Sequence, residues 1–267
     1  MKSLEELKSG NGTFSIGQSI SEGWALISRH LGMYILGGII AVLIGGVVGF
    51  IPFVGSMANN LIISPCFMAS AIFITWHVSR GEPWQDFGEV FKGFSFLAQI
   101  MVCSLIETAV IVVLMVLFFF KLLPDLIELV TLSQGQGVYQ NKAEIEELVK
   151  SMLLDPTNIL MFLGFFILAL VISVMWAFKV HFVVIYKMEG WPAMEMSRKI
   201  TMKNFFQLVG LFLLLGIILV ISAIPCGIGL LFSLPLMIGS IYSAFAQITH
   251  CDREDEVELD FKGPDIA

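Results

Sequence analysis

Apolar residues gather into six long runs along this chain, and short charged stretches separate them. The runs cover 33–53, 57–77, 96–120, 159–186, 205–224 and 228–248. About 20 helical residues cross a hydrocarbon core of about 30 Å, so each run is long enough to span a bilayer. Backbone left unpaired in lipid is too costly, and none of the runs alternates with the two-residue period of a barrel strand; they therefore predict helices. The first run begins only at Met33, after a mostly polar stretch without a small-residue cleavage site, which is not the form of a signal peptide.

A recurring unit organises these runs. A Glu/Gly/Trp stretch appears at Glu22-Gly23-Trp24, weakly at Gly81-Glu82-Pro83-Trp84, and again at Glu189-Gly190-Trp191; each is followed by a helix with charges on one side and then by two runs. The predicted fold is an all-α integral membrane protein. Its six transmembrane helices form three parallel-repeated hairpins, each preceded by a cytoplasmic interfacial amphipathic helix.

The entry helices have assignable faces. Ser15-Ile16-Gly17-Gln18 has the form of a capping box, and Ile16, Ile20, Trp24, Ile27 and Leu31 share a helical face away from Gln18, Glu22 and Arg29. In the second element Trp84, Phe87, Val90, Phe91 and Phe94 lie opposite Asp86, Glu89 and Lys92. In the third, Trp191, Met194, Ile200 and Phe205 lie opposite Glu195, Arg198, Lys199 and Lys203. Tryptophan at headgroup depth beside basic residues predicts contacts with lipid or a partner through Trp24, Arg29, Trp84, Lys92, Trp191, Arg198, Lys199 and Lys203. The plainer reading is that these helices brace the spans that follow.

The first and third units share their breaks as well. Ile51-Pro52-Phe53-Val54-Gly55 and Ile224-Pro225-Cys226-Gly227-Ile228-Gly229 predict tight apolar turns, and a second proline follows each inside the next span, at Pro65 and Pro235. Each proline removes a backbone donor and clashes with the carbonyl four residues earlier, at Leu61 and Leu231, so both helices are expected to kink. Gly38, Gly45 and Gly49 form a small-residue stripe whose ordinary use is close packing in the bundle, with homodimerisation as the lesser alternative.

Between the third and fourth runs the pattern lapses over 124–157. Asn141 and Glu144 can cap a helix carrying Ile145, Leu148, Val149, Met152 and Leu153, which ends at Asp155-Pro156; 125–132 offers a shorter partner and 133–137 a flexible break. The domain scheme is a cytoplasmic N-terminal tail over 1–13, a membrane domain over 14–249 with an outer helical cap insertion at 124–157, and an acidic cytoplasmic tail over 250–267.

Composition agrees with the runs. Hydrophobic residues make up 57% and charged residues 14% of the chain, where a soluble domain carries about 25% charge; mean hydropathy is +0.88. Of the 15 Lys and Arg, all but Lys121, Lys142 and Lys150 fall on one side of the predicted spans, which by the positive-inside rule makes both termini cytoplasmic. The net charge of -7 comes largely from the tail and the outer loop, neither of them a basic patch, so nucleic acid is not an expected partner.

Candidate chemistry is sparse. The four cysteines, Cys66, Cys103, Cys226 and Cys251, form no CxxC pair, so neither a metal nor a disulfide framework is expected. No HExxH, phosphate-loop, GxSxG or GxGxxG stretch occurs, and no enzymatic activity or cofactor is expected. Glu107 is the one ionisable residue placed deep in a span, and Lys179 and His181 on the fourth span are its natural partners in an intramembrane polar pair. Asn59 and Asn60 read as local caps or interhelix bonds.

The segments Arg80-Gly81-Glu82, Phe87, Phe91-Lys92-Gly93-Phe94 and Glu189-Gly190-Trp191-Pro192-Ala193-Met194, with Ser197, Lys199, Asn204 and Phe205-Phe206, resemble a large group of uncharacterised six-span bacterial membrane proteins. That group is similar to the membrane domain fused to some glycerophosphodiester phosphodiesterases. The resemblance implies a bacterial cytoplasmic (inner) membrane and a helical bundle with interfacial helices. It transfers no catalytic residue, because the phosphodiesterase chemistry belongs to a soluble domain. Trp191 departs from the group, where a smaller or variable residue is expected. The functional expectation is an accessory or scaffolding subunit that organises membrane lipids or other membrane protein subunits. The alternative is a small transporter or channel with a path near Glu107 and the kinked helices.

Overall fold

The computed structural model describes residues 12–52, 54–82, 84, 86–134, 142–224 and 227–252. The expected N-terminal tail up to Asn11, Pro83, the Asn141 cap, 135–137 of the expected break, the Pro225-Cys226 turn and the tail beyond Asp252 lie outside these residues. Among the described residues the chain is helical without strands. Six helical segments, Leu31–Gly49, Val54–Ser79, Phe87–Leu132, Pro156–Ile185, Phe205–Ala223 and Leu230–Thr249, are long and apolar enough to cross a membrane. All six coincide with the apolar runs, because uninterrupted hydropathy over at least 18 residues is a local property of sequence.

The chain divides into two compact units, one made of Met1–Ser104 with Val174–Ala267 and the other of Leu105–Ser173. In the first unit α1 (Ile16–Ser28) leads into α2 (Leu31–Gly49), and α3 (Val54–Ala58) passes through a π-helical turn at Asn59–Ile63 into α4 (Ser64–Ser79). A 3₁₀ helix, Phe87–Phe96, opens α5 (Leu97–Phe119). In the second unit the rest of α5 continues through a 3₁₀ turn into α6 (Leu123–Gln134), followed by α7 (Lys142–Leu154) and α8 (Pro156–Met175). The chain then resumes in the first unit with α9 (Lys179–Ile185), α10 (Gly190–Lys203), α11 (Phe205–Ala223) and α12 (Leu230–Thr249).

Two of the spans form the interior of the first unit. The central windows of Leu230–Thr249 and Val54–Ser79 are 61% and 44% buried, against 6% for Leu31–Gly49 and 17% for Phe205–Ala223, which leave most of their apolar surface outward. A protein in water could not expose α2 and α11 in this way, whereas lipid solvates them without cost.

Around this interior each entry element packs on a span through a glycine or small residues. Helix α1 lies along α12, the 3₁₀ helix along α4, and α10 along α9. A Cβ on Gly23 would fall 2.5 Å from the backbone nitrogen of Ser240, and one on Gly190 would fall 2.9 Å from the Gln99 carbonyl. Gly93 rests on the Cys66 carbonyl and donates its N–H to Ser70 Oγ at 2.8 Å.

This packing corrects three expectations. The capping box at Ser15 does not form: the Ser15 side chain makes no capping bond, its N–H donates to Gln247 Oε1 at 2.9 Å, and Gln18 donates to Glu22 at 2.7 Å. The buried face of α1 is Ser19, Gly23 and Ile27, so Trp24 is left 42% exposed. The second entry element is 3₁₀ and not α-helical; its three-residue turn stacks Phe87, Val90 and Gly93 in one line and brings Gly93 flush against α4.

At Pro65 the span widens and is not broken. The Ser64 N–H reaches back to the Asn59 carbonyl across the π-helical turn, so the ring of Pro65 enters at the first turn of α4, where no donor is required. Helix α12 runs through Pro235, which is buried. The two span-joining turns use the same device: Gly55 packs on the Val48 carbonyl and Gly229 on the Ser222 carbonyl.

The fourth apolar run contains a break that periodicity did not announce, between α8 and α9. Ser197 Oγ donates to the Met175 carbonyl at 2.9 Å and accepts the Phe178 N–H at 3.1 Å, while Thr201 Oγ1 lies 2.9 Å from the same carbonyl. Two hydroxyls of α10 thus satisfy the backbone groups that the break leaves open.

The second unit keeps its own core. Phe118 and Phe119 pack on Phe162 and Phe165 at centroid distances of 5.1–6.2 Å, and Gly164 admits the Phe118 ring. Asp155 caps α8 through the Thr157 N–H at 2.8 Å and meets Lys121 at 3.7 Å, and the Thr157 N–H holds its carboxyl below the usual range. On α7 Ile145, Leu148, Val149 and Met152 are partly buried, whereas Leu153, expected on the same face, is 58% exposed.

Candidate functional site

A cavity of about 710 Å³ lies in the first unit, between α2, the π-turn with α4, the 3₁₀ helix and α12. Small residues of α2 open one wall: Gly37, Gly38, Ala41, Gly45 and Gly46 line it, and a Cβ on Gly38 or Gly46 would meet nothing within 4 Å. The glycine stripe of the first span therefore does not serve close packing at Gly38 or Gly49, whose faces are also open. Only Gly45 is pressed, against Asn59 Oδ1 at 2.6 Å from its notional Cβ. Pro235 with its neighbours Leu234, Met237 and Ile238 supplies the opposite wall.

The two ends of the cavity differ chemically. At the end nearer the start of α2, Tyr34, Ile74 and Val90 are buried, and Tyr34 meets Trp84 edge to face at 5.4 Å. Polar atoms at this floor and along the wall are committed to the protein: the Tyr34 and Thr75 hydroxyls to each other at 2.9 Å, Trp84 Nε1 to the Asp86 carbonyl, and Ser70 Oγ to the Cys66 carbonyl and the Gly93 N–H. At the other end Ser64 Oγ donates to Asn59 Oδ1 at a long 3.5 Å, and the Asn59 N–H₂ group donates to no described residue. Asn60, by contrast, caps locally onto the Ser56 carbonyl at 2.8 Å.

The interfacial residues named from the sequence are distributed over the entry elements. Trp24 and Trp191 are exposed, the latter at 62%, as are Arg29, Lys92, Arg198, Lys199 and Lys203; Trp84 is partly buried and lines the cavity. Arg198 clasps Glu195 with bonds of 2.7 and 2.9 Å and Lys199 stands 3.4 Å from it; the Arg198 bonds, outweighing desolvation, draw the Glu195 carboxyl down to about 2. Glu107 is half-buried on α5 in the second unit, whereas Lys179 and His181 begin α9 in the first. His181 is buried with neither ring nitrogen hydrogen-bonded, and Phe178 and Phe245 flank it at 5.6 and 5.0 Å.

A second polar cluster fixes α1 to α12. Glu22 Oε2 accepts from Ser243 Oγ at 2.7 Å and from Gln247 Nε2 at 3.0 Å, and Glu22 Oε1 accepts from Gln18. Partial burial alone would raise the Glu22 carboxyl, but these bonds hold it below the ordinary value. Nothing in the linear order pairs Glu22 with Ser243 or Gln247. The cavity was equally hidden, although the cluster of small residues between Gly37 and Gly46 together with Asn59 is the signal from which it could have been read. No group of three or more metal-binding side chains occurs among the described residues. No protein-family model, curated protein or solved structure matches the chain.

Proposed function

We propose that this protein is a non-catalytic accessory or scaffolding subunit that organises lipid, or a membrane protein complex, in a bacterial cytoplasmic membrane, with both termini cytoplasmic. The observation that carries this reading is the construction of the entry elements. Each commits a glycine or small-residue face to a span, so that aromatic and basic side chains such as Trp24, Arg29, Trp191 and Lys199 remain outward, where headgroups would meet them. Bracing and lipid contact are two faces of the same helix.

The repeat supports it. Gly55 and Gly229 each seat on the carbonyl seven residues earlier, and the entry elements pack in a cycle: the first on the last span, the second on the second, the third on the end of the fourth. Three parallel-repeated hairpins about an axis along the membrane normal have this arrangement. The same features fit kinship with the six-span family that the Glu-Gly-Trp and Phe-Lys-Gly-Phe segments resemble.

A second reading, a small transporter, is favoured by the cavity beside Pro235 more than by Glu107. Extraction in native-lipid discs followed by lipid and protein mass analysis tests the first reading: enrichment of one lipid class over the bulk membrane, or a co-purifying membrane subunit, is the expected result. Protein that shows neither overturns it, and measured flux of a solute in liposomes selects the transporter.

A further inference from the structure

We infer that the cavity along α2 is a binding site for one acyl chain of an ester-linked membrane lipid. The lipid enters from the leaflet at the Gly49 end of α2, with its ester carbonyl at Asn59 and its tail against the Tyr34–Trp84 floor. This rests on the lipid-organising reading above and specifies its ligand.

Three observations carry it. The first is size: 710 Å³ lies within the range of about 300–1,000 Å³ typical of ligand sites. Lining residues on α2 run from Tyr34 to Gly46, about 18 Å at 1.5 Å per residue, slightly more than the depth of one leaflet's half of a core about 30 Å thick. Because Gly46 lies about 5 Å inside the Gly49 end of α2, a chain that fills the cavity passes the bilayer midplane and ends in the opposite half of the core.

The second is surroundings. The cavity is walled by membrane-spanning segments, and Val42 on its rim is 73% exposed, so the cavity opens sideways to whatever solvates α2. In a bilayer that is hydrocarbon. Empty volume of this size would forfeit dispersion contacts along its whole lining, and water would find few polar partners there.

The third is polarity. A lipid presents acceptors at one end and none at the other. The floor matches the tail, since the Tyr34, Thr75, Trp84 and Ser70 polar groups are all paired within the protein. The Asn59 end matches the ester, since its amide N–H₂ has no described acceptor and sits beside the Ser64 hydroxyl. Gly45 is what lets this amide stand at the mouth, because any Cβ there would strike Asn59 Oδ1.

The test uses full-length protein in discs of phosphatidylethanolamine and phosphatidylglycerol, doped with a phosphatidylcholine whose acyl chain ends in a diazirine. After irradiation, label is mapped by mass spectrometry and compared with label on Ile217, Val220 and Ile221, exposed residues of α11. The expected result is enrichment on Tyr34, Ile74 and Trp84. Gly38→Leu or Gly46→Leu, placed where open space accepts a side chain, should reduce cavity label to the α11 level while leaving the α11 label unchanged. Asn59→Leu should reduce cavity label about fivefold, the worth of one hydrogen bond, and an ether-linked analogue should show a similar loss.

Cavity label no higher than α11 label overturns the site. If the purified protein still enriches one lipid class in that case, the lipid-organising reading survives; if it enriches none, both fall. Label that ignores both Asn59→Leu and the ether analogue overturns the assignment of the ester end, and crosslinking of a polypeptide in place of the chain overturns the ligand class.

Discussion

Gly23 of α1 and Gly239 of α12 cross backbone to backbone. A Cβ on Gly23 would stand 2.5 Å from the Ser240 nitrogen, and one on Gly239 would stand 2.6 Å from the Gly23 carbonyl oxygen. Backbone cannot yield as a side-chain tip can, so Gly23→Ala or Gly239→Ala should destabilise the detergent-solubilised protein by at least about 1–3 kcal/mol. Gly38→Ala, with open space at its Cβ, should be neutral or stabilising by up to about 1 kcal/mol. Thermal unfolding of the three variants measures the contrast; equal effects would contradict the crossing.

Acid should loosen the same interface. The carboxyl of Glu22 titrates below the ordinary glutamate value of 4.5 in the folded protein, because the bonds from Ser243, Gln18 and Gln247 outweigh burial. A depressed carboxylate contributes stability above its unfolded pKa and loses it as pH falls through the folded one, so this contribution is intact at neutral pH and declines below about 4.5. Unfolding midpoints recorded across that range should fall more steeply for the parent than for Glu22→Gln, which has no carboxylate to protonate. Parallel slopes would show that the cluster does not set the acid response.

Ser197 should matter more than its size suggests. Its hydroxyl bridges the Met175 carbonyl and the Phe178 N–H at the break between α8 and α9, away from water. Ser197→Ala takes the acceptor from the Phe178 N–H and one of two donors from the Met175 carbonyl, and should cost about 1–3 kcal/mol. Thr201 shares the Met175 carbonyl, so a Ser197→Ala, Thr201→Val double variant should cost less or more than the sum of the two singles, as expected of neighbours in one network. Additivity within error would remove the shared-carbonyl account. The exposed Glu195–Arg198 pair is the control: Glu195→Gln should leave the unfolding temperature unchanged.

Cysteine reactivity gives a direct reading of packing. Cys66, Cys103 and Cys251 are all buried, and burial pushes the Cys251 thiol up to about 11. In a Cys226→Ser background, folded protein at neutral pH should resist maleimide and react only on denaturation. Fast labelling of Cys251 in the folded state would mean that the end of α12 is open.

Sequence alone determined the six apolar segments, their helical character and the location of the charged stretches, because each depends on hydropathy over a contiguous window. It also located the glycines that matter, at Gly23, Gly190 and along α2, and the prolines at 65 and 235. What it could not determine is which surface each glycine serves. Gly23 and Gly38 look alike in a linear pattern, yet one is closed by Gly239, over two hundred residues away, and the other opens a cavity. The face that α1 buries was decided in the same way: the hydrophobic stripe favoured Trp24, but the close crossing at Gly23 turned Ser19, Gly23 and Ile27 inward. In lipid the hydrophobic effect does not rank one apolar face above another, so van der Waals fit and long-range hydrogen bonds such as Glu22 to Ser243 make the choice. Those partners exist only once distant spans are side by side, and for that reason the contact surfaces and the cavity belong to the tertiary structure.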